Sequence, residues 1–497
     1  MNKKKFLFAF AVVAALCAIS ATAEPKRLVV ALSGNPDTLD PQKTAGTLTF
    51  QVVKSVYDTL VEPDAKGMIV PGLAESWQVS KDGLTWTFKL RSGVRFHNGD
   101  PLTSADVKAT FDRLKDAATA SPKASEYAAA EFFAPSPLIV EIKLASPQAP
   151  FLATLASGWS AILPKSLIDS GWDFASKPVG TGPFVFKEWI RDSRISLDAN
   201  PSYWMKNLPK VSGVNFQIIP ERAVQIQGLM TGAVDIVDGV DPSDIATLSK
   251  NKDVRVDTNL SSMVLVLAFN CAKPELRDAR VRQAISMAID KKRVLDMVYG
   301  GGVVGGSFMD AGDPYYSDYS KVLPHDSSAA KKLLQEAGWN PETTLDLVLP
   351  ENYDQHVKAG QLYQEMLALV GVKTKIRLVD WPTWLSDVYK GGKYDLTVIG
   401  HTGKLDPDGR LGGFGTDKTY VHWVNGEAND LIAKARTENS FPARKALYDK
   451  ALGIMAREVP QVYVGTANSL VALRASVTGF IKTPKLDSFD FRWVETR

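Results

Sequence analysis

One loop of the sequence concentrates residues that could bind a small polar solute. It runs from Gly400 to Arg410, directly after a predicted strand, and it contains three glycines. Hydrogen-bond donors, acceptors and charges of both signs come from His401, Thr402, Lys404, Asp406 and Arg410. Loops held by a rigid strand often carry binding residues. The composition of this loop therefore predicts that these five side chains bind a ligand.

Aromatic side chains form a second candidate set. Trp381 and Trp384 lie close together in the sequence, and Trp159, Tyr420 and Trp423 lie in other predicted loops. Flat aromatic faces stack well on sugar rings and peptide side chains. We predict Trp159, Trp381 and Trp384 as ligand contacts, while a place in the core or at a domain interface stays open for each of them.

Two asparagines complete the predicted ligand-binding set. Asn35 lies in the loop that follows the short apolar strand Leu28–Leu32, and ligands of open α/β sheets gather at such strand ends. A simple turn is the alternative for this loop. Asn270 ends the almost continuously apolar run from Met263, which is typical of a strand covered on both faces.

The sequence shows no spacing of residues that is typical of a catalytic centre. It contains no Gly-x-Ser-x-Gly elbow, Walker loop or His-Glu-x-x-His helix. The glycine-rich run 300–305 follows a predicted helix, Arg277–Tyr299, whereas a dinucleotide motif must follow a strand. We therefore predict a protein that is not an enzyme and needs no cofactor, with a hydrolase as the weaker alternative.

The histidines do not predict a metal site. His97, His325, His356, His401 and His422 are scattered, and none pairs with another at helical spacing. His401 and His422 could converge with Asp406 and Asp408 after folding. Zinc and nickel sites normally combine several imidazoles or thiolates, so we predict that no metal is bound directly.

The clearest local structure lies between Leu73 and Leu114. From Thr85 to Arg91 polar and apolar residues alternate, which predicts a strand with one buried face. Turn-forming residues follow at 98–101, and Thr103 with Asp106 forms a capping box for a new helix. The buried stripe of that helix is predicted to be Val107, Phe111 and Leu114.

The same stretch resembles a known family. The run Leu90–Thr103, LRSGVRFHNGDPLT, preceded by AESW at 74–77, is similar to the signature of the family 5 extracellular solute-binding proteins, the peptide, opine and nickel receptors of ABC importers. GTGPF at 180–184, GAVDI at 232–236 and VRQAISMAID at 281–290 are similar to further parts of that family.

The resemblance implies an α/β periplasmic binding protein with two lobes, mixed sheets, an inserted subdomain and a ligand cleft between the lobes. Alternating strands and helices in the second half agree with an α/β lobe. We place the second crossover between lobes at Asn270–Pro274. The predicted segments are 1–23 signal peptide, 24–61 first lobe, 62–177 inserted subdomain, 178–270 first lobe, 271–474 second lobe and 475–497 return to the first lobe.

The sequence departs from the dipeptide-binding branch of the family at both charge anchors. In that branch an aspartate just after the Thr-Gly step takes the peptide ammonium, and here Lys404 stands at that place. Asp406, slightly further on, is the possible substitute. The branch also has an arginine for the peptide carboxylate before the His356 helix, and residues 350–353 supply none.

The N-terminus and the cysteines indicate export. Met1–Ala23 has three lysines, an apolar run and a final Ala-Thr-Ala, which is typical of a cleaved signal peptide. A lipid anchor at Cys17 is the disfavoured alternative, because Leu16 precedes it where a small residue is needed. After cleavage only Cys271 remains, so no internal disulfide can form.

Net charge excludes a general attraction to nucleic acid. The formal charge of +3 comes from the three signal-peptide lysines, and 55 basic residues then balance 55 acidic ones. We predict a monomeric periplasmic protein that captures a small polar solute, a peptide or peptide-like compound, by hinge closure and delivers it to an ABC permease. A sugar conjugate, an opine or a metal chelate is the alternative cargo, and a holder of unfolded chains is a further alternative function.

Overall fold

The computed structural model describes residues 26–483, 485 and 488–496. The predicted signal peptide and Cys17 lie outside these residues, so cleavage near Ala23 stays a prediction. Within the described ranges, every helix is too short or too polar to span a bilayer.

The chain starts in the first lobe and then builds a subdomain. Strand β1 (Leu28–Leu32) and helix α1 (Thr47–Val53) come first. The elements that follow are β2 (Val61–Pro63), β3 (Ile69–Pro71), β4 (Ala74–Val79), β5 (Thr85–Leu90), α2 (Ser104–Lys115), α3 (Ala124–Tyr127), β6 (Ala130–Ser136), β7 (Ile139–Leu144) and α4 (Phe151–Leu155). An antiparallel sheet in the order β4-β5-β7-β6 packs against α2 around one core.

Local sequence patterns account for this subdomain. The predicted alternation is confirmed, since Trp86, Phe88 and Leu90 are buried on one face of β5. The capping box is confirmed as well: the Thr103 backbone N donates to Asp106 Oδ2 at 2.8 Å, and α2 begins at the next residue. The predicted apolar stripe of α2 is fully buried.

Two of the family-like motifs bind each other. His97 Nδ1 accepts a hydrogen bond from the Gly180 backbone N at 3.3 Å, and His97 Nε2 donates to Gly182 O at 3.0 Å. Burial lowers the pKa of His97 to about 4, so the ring is neutral. Gly180 leaves no room for a side chain, because a Cβ there would lie 2.3 Å from Val56 O.

The chain then returns to the first lobe. Its elements are α5 (Lys165–Asp169), β8 (Phe184–Ile190), β9 (Arg194–Ala199), β10 (Gly213–Ile218), α6 (Arg222–Thr231), β11 (Ile236–Asp238), α7 (Ile245–Leu248) and β12 (Val254–Phe269). Strand β1 pairs in parallel with β10 and β11, whereas β8, β9 and β10 form an antiparallel meander.

The second lobe holds most of the remaining helices. Its elements are α8 (Pro274–Arg277), α9 (Ala279–Ala288), α10 (Lys291–Tyr299), β13 (Gly302–Val304), α11 (Ser327–Glu336), β14 (Thr344–Pro350), α12 (Asp354–Leu369), β15 (Lys373–Val379), α13 (Trp381–Thr383), a π-helical segment (Trp384–Lys390), β16 (Leu396–His401), α14 (Asp408–Leu411), α15 (Gly426–Thr437) and α16 (Phe441–Glu458). Strand β17 (Gln461–Arg474) begins in this lobe and ends in the first-lobe cores. The single helix predicted over 277–299 is therefore wrong. The chain breaks it before Asp290, whose carboxylate accepts the Arg293 N–H at 3.0 Å and starts α10.

One mixed sheet runs through both lobes. Its order among the described strands is β15-β14-β16-β12-β17-β11-β1-β10-β9-β8. The long strands β12 and β17 pair antiparallel, and their register shifts between Leu260 and Val264. Val254 packs in a first-lobe core, while Val264–Phe269 pack in the second-lobe core. The chain therefore passes from the first-lobe core to the second-lobe core within β12. The predicted crossover at Asn270–Pro274 lies after this point, beyond the C-terminal end of the strand.

The C-terminal segment packs back on the first lobe. Its strands are β18 (Val477–Thr478), β19 (Ile481–Thr483), β20 (Ser488–Asp490) and β21 (Glu495–Thr496). Phe489 and Phe491 belong to the first-lobe core. Arg492 forms a 2.8 Å ion pair with Glu62 and thereby joins this segment to the subdomain.

Cys271 follows β12 and is buried in the second lobe. Burial raises the pKa of its thiol to about 11.

Candidate functional site

A cavity of about 1000 Å³ lies between the two lobes and the subdomain. The subdomain side contributes Lys123, Glu126 and Trp159, and the first lobe contributes Arg222 and Asp241. The second lobe contributes the loop after β16, residues 402–406. A concave site of this size suits a small solute such as a short peptide.

The structure brings part of the predicted ligand-binding set to this cavity. Trp159, Thr402, Lys404 and Asp406 line it. The other predicted residues are engaged elsewhere in the protein and do not line it: Asn35, Asn270, Trp381, Trp384, His401 and Arg410.

Trp159 borders the cavity in a fixed orientation. Its indole Nε1 donates to Thr44 O at 2.8 Å, and its ring meets Phe50 edge-on at 4.6 Å between centroids. Lys123 Nζ lies 5.0 Å from the centroid of the Trp159 ring, a cation–π distance. The ring is therefore held by the protein and can present an aromatic surface to a solute.

The loop after β16 approaches the middle of β12 very closely, at the shift in its register. The Gly403 backbone N donates to Ser262 Oγ at 3.1 Å, and a Cβ at Gly403 would lie 2.3 Å from the Ser262 Cβ. Thr402 and Lys404, on either side of this glycine, are exposed to the cavity. Partial desolvation of its ammonium group, with the positive charges of Lys123 and Arg410 as further causes, lowers the pKa of Lys404.

Asp406 is engaged by the protein itself. Its two carboxylate oxygens accept from Arg444 Nη1 and Nη2 at 2.5 and 2.8 Å, a bidentate ion pair. The neighbouring Asp408 accepts from Arg436 Nε at 2.9 Å. This arrangement goes against the suggestion that Asp406 replaces the ammonium-binding aspartate of dipeptide binders, because both of its oxygens already bind a buried cation.

Arg410 holds the loop in place from behind the cavity. Its guanidinium donates to the carbonyl oxygens of Phe308, Ser262 and Thr402 at 3.1–3.3 Å. Arg410 Nη2 also lies 3.7 Å from Asp310 Oδ2. Because this side chain is buried, the structure assigns it to positioning the loop, which corrects its predicted direct contact with the ligand.

His401 is likewise a packing residue. Its Nε2 lies 2.8 Å from Tyr420 Oη, and its ring meets Phe308 edge-on. Burial, followed by the charges of Arg410 and Lys404, lowers the pKa of His401 to about 3, so the ring is neutral. His422 instead pairs with Asp417 at 2.8 Å, and the described residues contain no group of three or more metal-ligating side chains.

The paired tryptophans belong to the second lobe rather than to the cavity. Trp381 and Trp384 stack with centroids 4.9 Å apart, and Trp384 Nε1 donates to Thr397 Oγ1 at 3.0 Å. Trp384 is only 2% exposed. The structure thus favours the core alternative for this pair.

The two asparagines tie loops together. Asn35 exchanges hydrogen bonds with Asp192 and accepts from Trp189 Nε1, at the turn between β8 and β9. Asn270 is buried and donates to Gly392 O at 2.9 Å and Tyr394 O at 3.3 Å. Both amides are used within the fold, which corrects their predicted place in the ligand site.

Sequence inspection missed several charged residues of the cavity. Lys123, Glu126, Arg222, Asp241 and Lys485 line it, although they lie far apart along the chain. Lys485 forms an ion pair with the buried Asp313 and so connects the C-terminal segment to the second lobe. No local motif marks these residues, apart from the Asp241–Ser243 cap of a short helical turn.

Two lobes joined by crossing strands, with a solute-sized cavity between them, define the class of two-lobed binding proteins. Comparison of the sequence identifies the family within this class. The chain belongs to the bacterial extracellular solute-binding proteins of family 5, whose middle region matches residues 68–420.

Known members of similar sequence and structure agree with this assignment. The chain is 30% identical over 504 residues to the dipeptide-binding protein of Escherichia coli, with 94% of each chain covered. It resembles the unliganded open form of the periplasmic murein tripeptide-binding protein MppA with a TM-score of 0.86 at 25% identity, covering 95% of this chain and 98% of the other. The TM-score is 0.73, also at 25% identity, for a Pseudoalteromonas dipeptide-binding protein in complex with Met-Leu, covering 95% and 100%.

Proposed function

We propose that this protein captures a peptide-like solute in the cavity between its lobes and delivers it to the permease of an ABC importer. The observation that carries the proposal is the cavity itself, which is lined from three sides by Trp159, the Thr402–Asp406 loop and Arg222. Family membership and the dipeptide-binding relative support a peptide-like cargo.

Solute capture would proceed by closure of the two lobes. At equal sequence identity, the fold superimposes better on an unliganded open form than on a dipeptide complex, with TM-scores of 0.86 and 0.73. The difference supports an open conformation for the structure described above. A solute that contacts both lobes only when they approach shifts the population toward the closed form.

Strands β12 and β17 are the expected hinge. Their pairing is irregular between Leu260 and Val264 and again between Leu265 and Val266. Irregular register in a strand pair weakens the ladder locally and lets the strands bend. Bending there would carry the Thr402–Asp406 loop toward Trp159 and the Lys123–Glu126 pair.

The proposal is tested by binding and closure together. The purified mature protein is mixed with an enzymatic casein digest, and bound peptides are identified by native mass spectrometry. Small-angle X-ray scattering before and after mixing measures the radius of gyration. We expect a stoichiometric peptide complex with a smaller radius of gyration. If no digest peptide binds, the peptide-like cargo is wrong, and if binding leaves the radius unchanged, closure is wrong.

Export and assembly state follow from the same proposal. We expect N-terminal sequencing of protein recovered from the periplasm to begin at Glu24, and light scattering to give the mass of a monomer. A lipid-modified N-terminus would contradict the proposed soluble periplasmic form.

A further inference from the structure

Among the lysines that line the cavity, Lys404 differs from the others in its partners. Lys54, Lys123, Lys482 and Lys485 each form an ion pair, with Glu62, Glu126, Asp238 and Asp313 respectively. Lys404 forms no hydrogen bond or ion pair with any residue in the described part of the chain. Its aliphatic stem lies over Gly409, where a Cβ would come within 3.1 Å of Lys404 Cγ.

The carboxylates around Lys404 cannot neutralise it without losing other partners. Asp406 binds Arg444 through both oxygens, and Asp408 binds Arg436. Glu126, across the cavity, is paired with Lys123. The two charges within each of these pairs cancel. This end of the cavity therefore keeps one uncompensated positive charge, that of Lys404.

The first-lobe wall of the cavity does not supply a negative charge that would compensate Lys404. Asp241 lies on the first-lobe side and accepts hydrogen bonds from the backbone and hydroxyl of Ser243. Arg222 is within electrostatic range of Asp241, so these two residues together add no net charge. The positive charge of Lys404 therefore stays directed at the solute.

We infer that the solute presents a carboxylate or similar anionic group to Lys404, on the side of the cavity between the Thr402–Asp406 loop and Trp159. The C-terminal carboxylate of a neutral peptide could also reach Lys404, but the ammonium of that peptide offsets it and leaves the charge of the closed cavity at plus one. Only a solute of net negative charge neutralises the cavity as a whole, so the inference, which rests on the proposed function, narrows its substrate class to acidic peptide-like compounds. Closure removes water from Lys404, and an unpaired charge in a water-excluded site disfavours a solute that cannot compensate it. A free ammonium group at this position would be repelled by Lys404.

Two kinds of solute offer this chemistry, and matched probes separate them. One is a peptide with an acidic side chain and a free amine, such as Asp-Ala. The other carries a carboxylate in place of the amine, such as succinyl-Ala-Ala. Ala-Ala and Lys-Ala serve as zwitterionic and cationic probes of similar size.

The experiment starts from the full mature protein and a casein digest divided by ion exchange into acidic, neutral and basic fractions. Native mass spectrometry measures the share of protein that captures a peptide from each fraction at equal total peptide concentration. The matched probes are then titrated by calorimetry. We expect at least tenfold tighter binding of acidic than of neutral digest peptides, and the better of the two acidic probes identifies the source of the carboxylate.

Variants assign this preference to Lys404. Lys404→Gln should reduce the acidic-over-neutral ratio at least tenfold, Lys404→Glu should invert it, and Lys404→Arg should retain it. Lys331→Gln is the matched control, because Lys331 is an exposed lysine outside the cavity. Circular dichroism checks that each variant is folded.

Each outcome decides the inference. Preferential capture from the acidic fraction that is lost in Lys404→Gln supports it. Preferential capture from the neutral or basic fraction, or an unchanged ratio in Lys404→Gln, overturns it while the proposed peptide-binding function stands. Absence of capture from every fraction overturns the proposed function, and the inference falls with it. Should Lys404→Gln fail to fold, the fraction preference of the unmodified protein still decides whether the solute is anionic.

Discussion

The Leu73–Leu114 unit and the Gly400–Arg410 loop obtain partners for their polar side chains in different ways. In the first, Asp106 satisfies the backbone N–H of Thr103, three residues away. In the second, Asp406 binds Arg444, which lies 38 residues further along the chain, and Arg410 binds the carbonyl oxygen of Ser262, 148 residues away. Charges in the loop are therefore committed first to the fold, and Lys404 is the residue that we propose to meet a solute.

The largest expected effect comes from removing the long-range ion pair between Arg444 and Asp406. Arg444→Met should lower the free energy of unfolding by about 3–5 kcal/mol, because it leaves the Asp406 carboxylate partly buried without its partner. Urea unfolding followed by tryptophan fluorescence measures the change. Lys450→Met is the control on the same helix, since Lys450 is exposed. A loss below about 1 kcal/mol would mean that the ion pair behaves as a surface pair.

A second prediction tests the histidine that joins the subdomain to the Gly180–Gly182 segment. The pKa of His97 falls from 6.5 to about 4 on folding, so between these values the unfolded chain takes up more protons. The stability due to neutral His97 is thus complete above pH 6.5 and is lost as the pH falls toward 4. By pH 5 the loss should be about 1–2 kcal/mol.

The pH profile of a variant checks this assignment. His97→Gln should show a shallower decline in urea midpoint between pH 7 and pH 5 than the unmodified protein. His325→Gln, at an exposed histidine, should leave the slope unchanged. Parallel profiles for the unmodified protein and His97→Gln would contradict the role of His97.

The smallest expected effect comes from removing the local helix cap at Thr103. Thr103→Ala should cost about 1 kcal/mol, because Thr103 opens helix α2 in a capping box and alanine caps poorly. Thermal unfolding measures it, with Thr344→Ala at the exposed start of β14 as the control. Equal melting temperatures for the two variants would show that the cap adds nothing to stability.

The distance along the chain between interacting residues also explains which features could be predicted from the sequence. The buried faces of β5 and α2 and the cap at Thr103 depend on neighbours a few residues away, and all of them were predicted correctly. The break before Asp290 was not, because the apolar periodicity of the preceding helix continues through it. The pairing of Asp406 with Arg444 and the burial of Asn270 and Trp384 depend on distant partners, so composition alone suggested ligand contacts there. The resemblance identified the family because it rests on long ordered runs rather than on single charges.

Cys271 gives the molecule a practical property. It is the sole cysteine in the described part of the chain, and its thiol is buried, with a pKa of about 11. At neutral pH it is neither accessible nor deprotonated, so maleimide dyes will react slowly with it. Cysteines introduced at Lys331 and on the subdomain surface can therefore be labelled selectively without removing Cys271. Energy transfer between the two dyes would then report lobe movement in real time, and the protein would serve as a fluorescent sensor for its own solute.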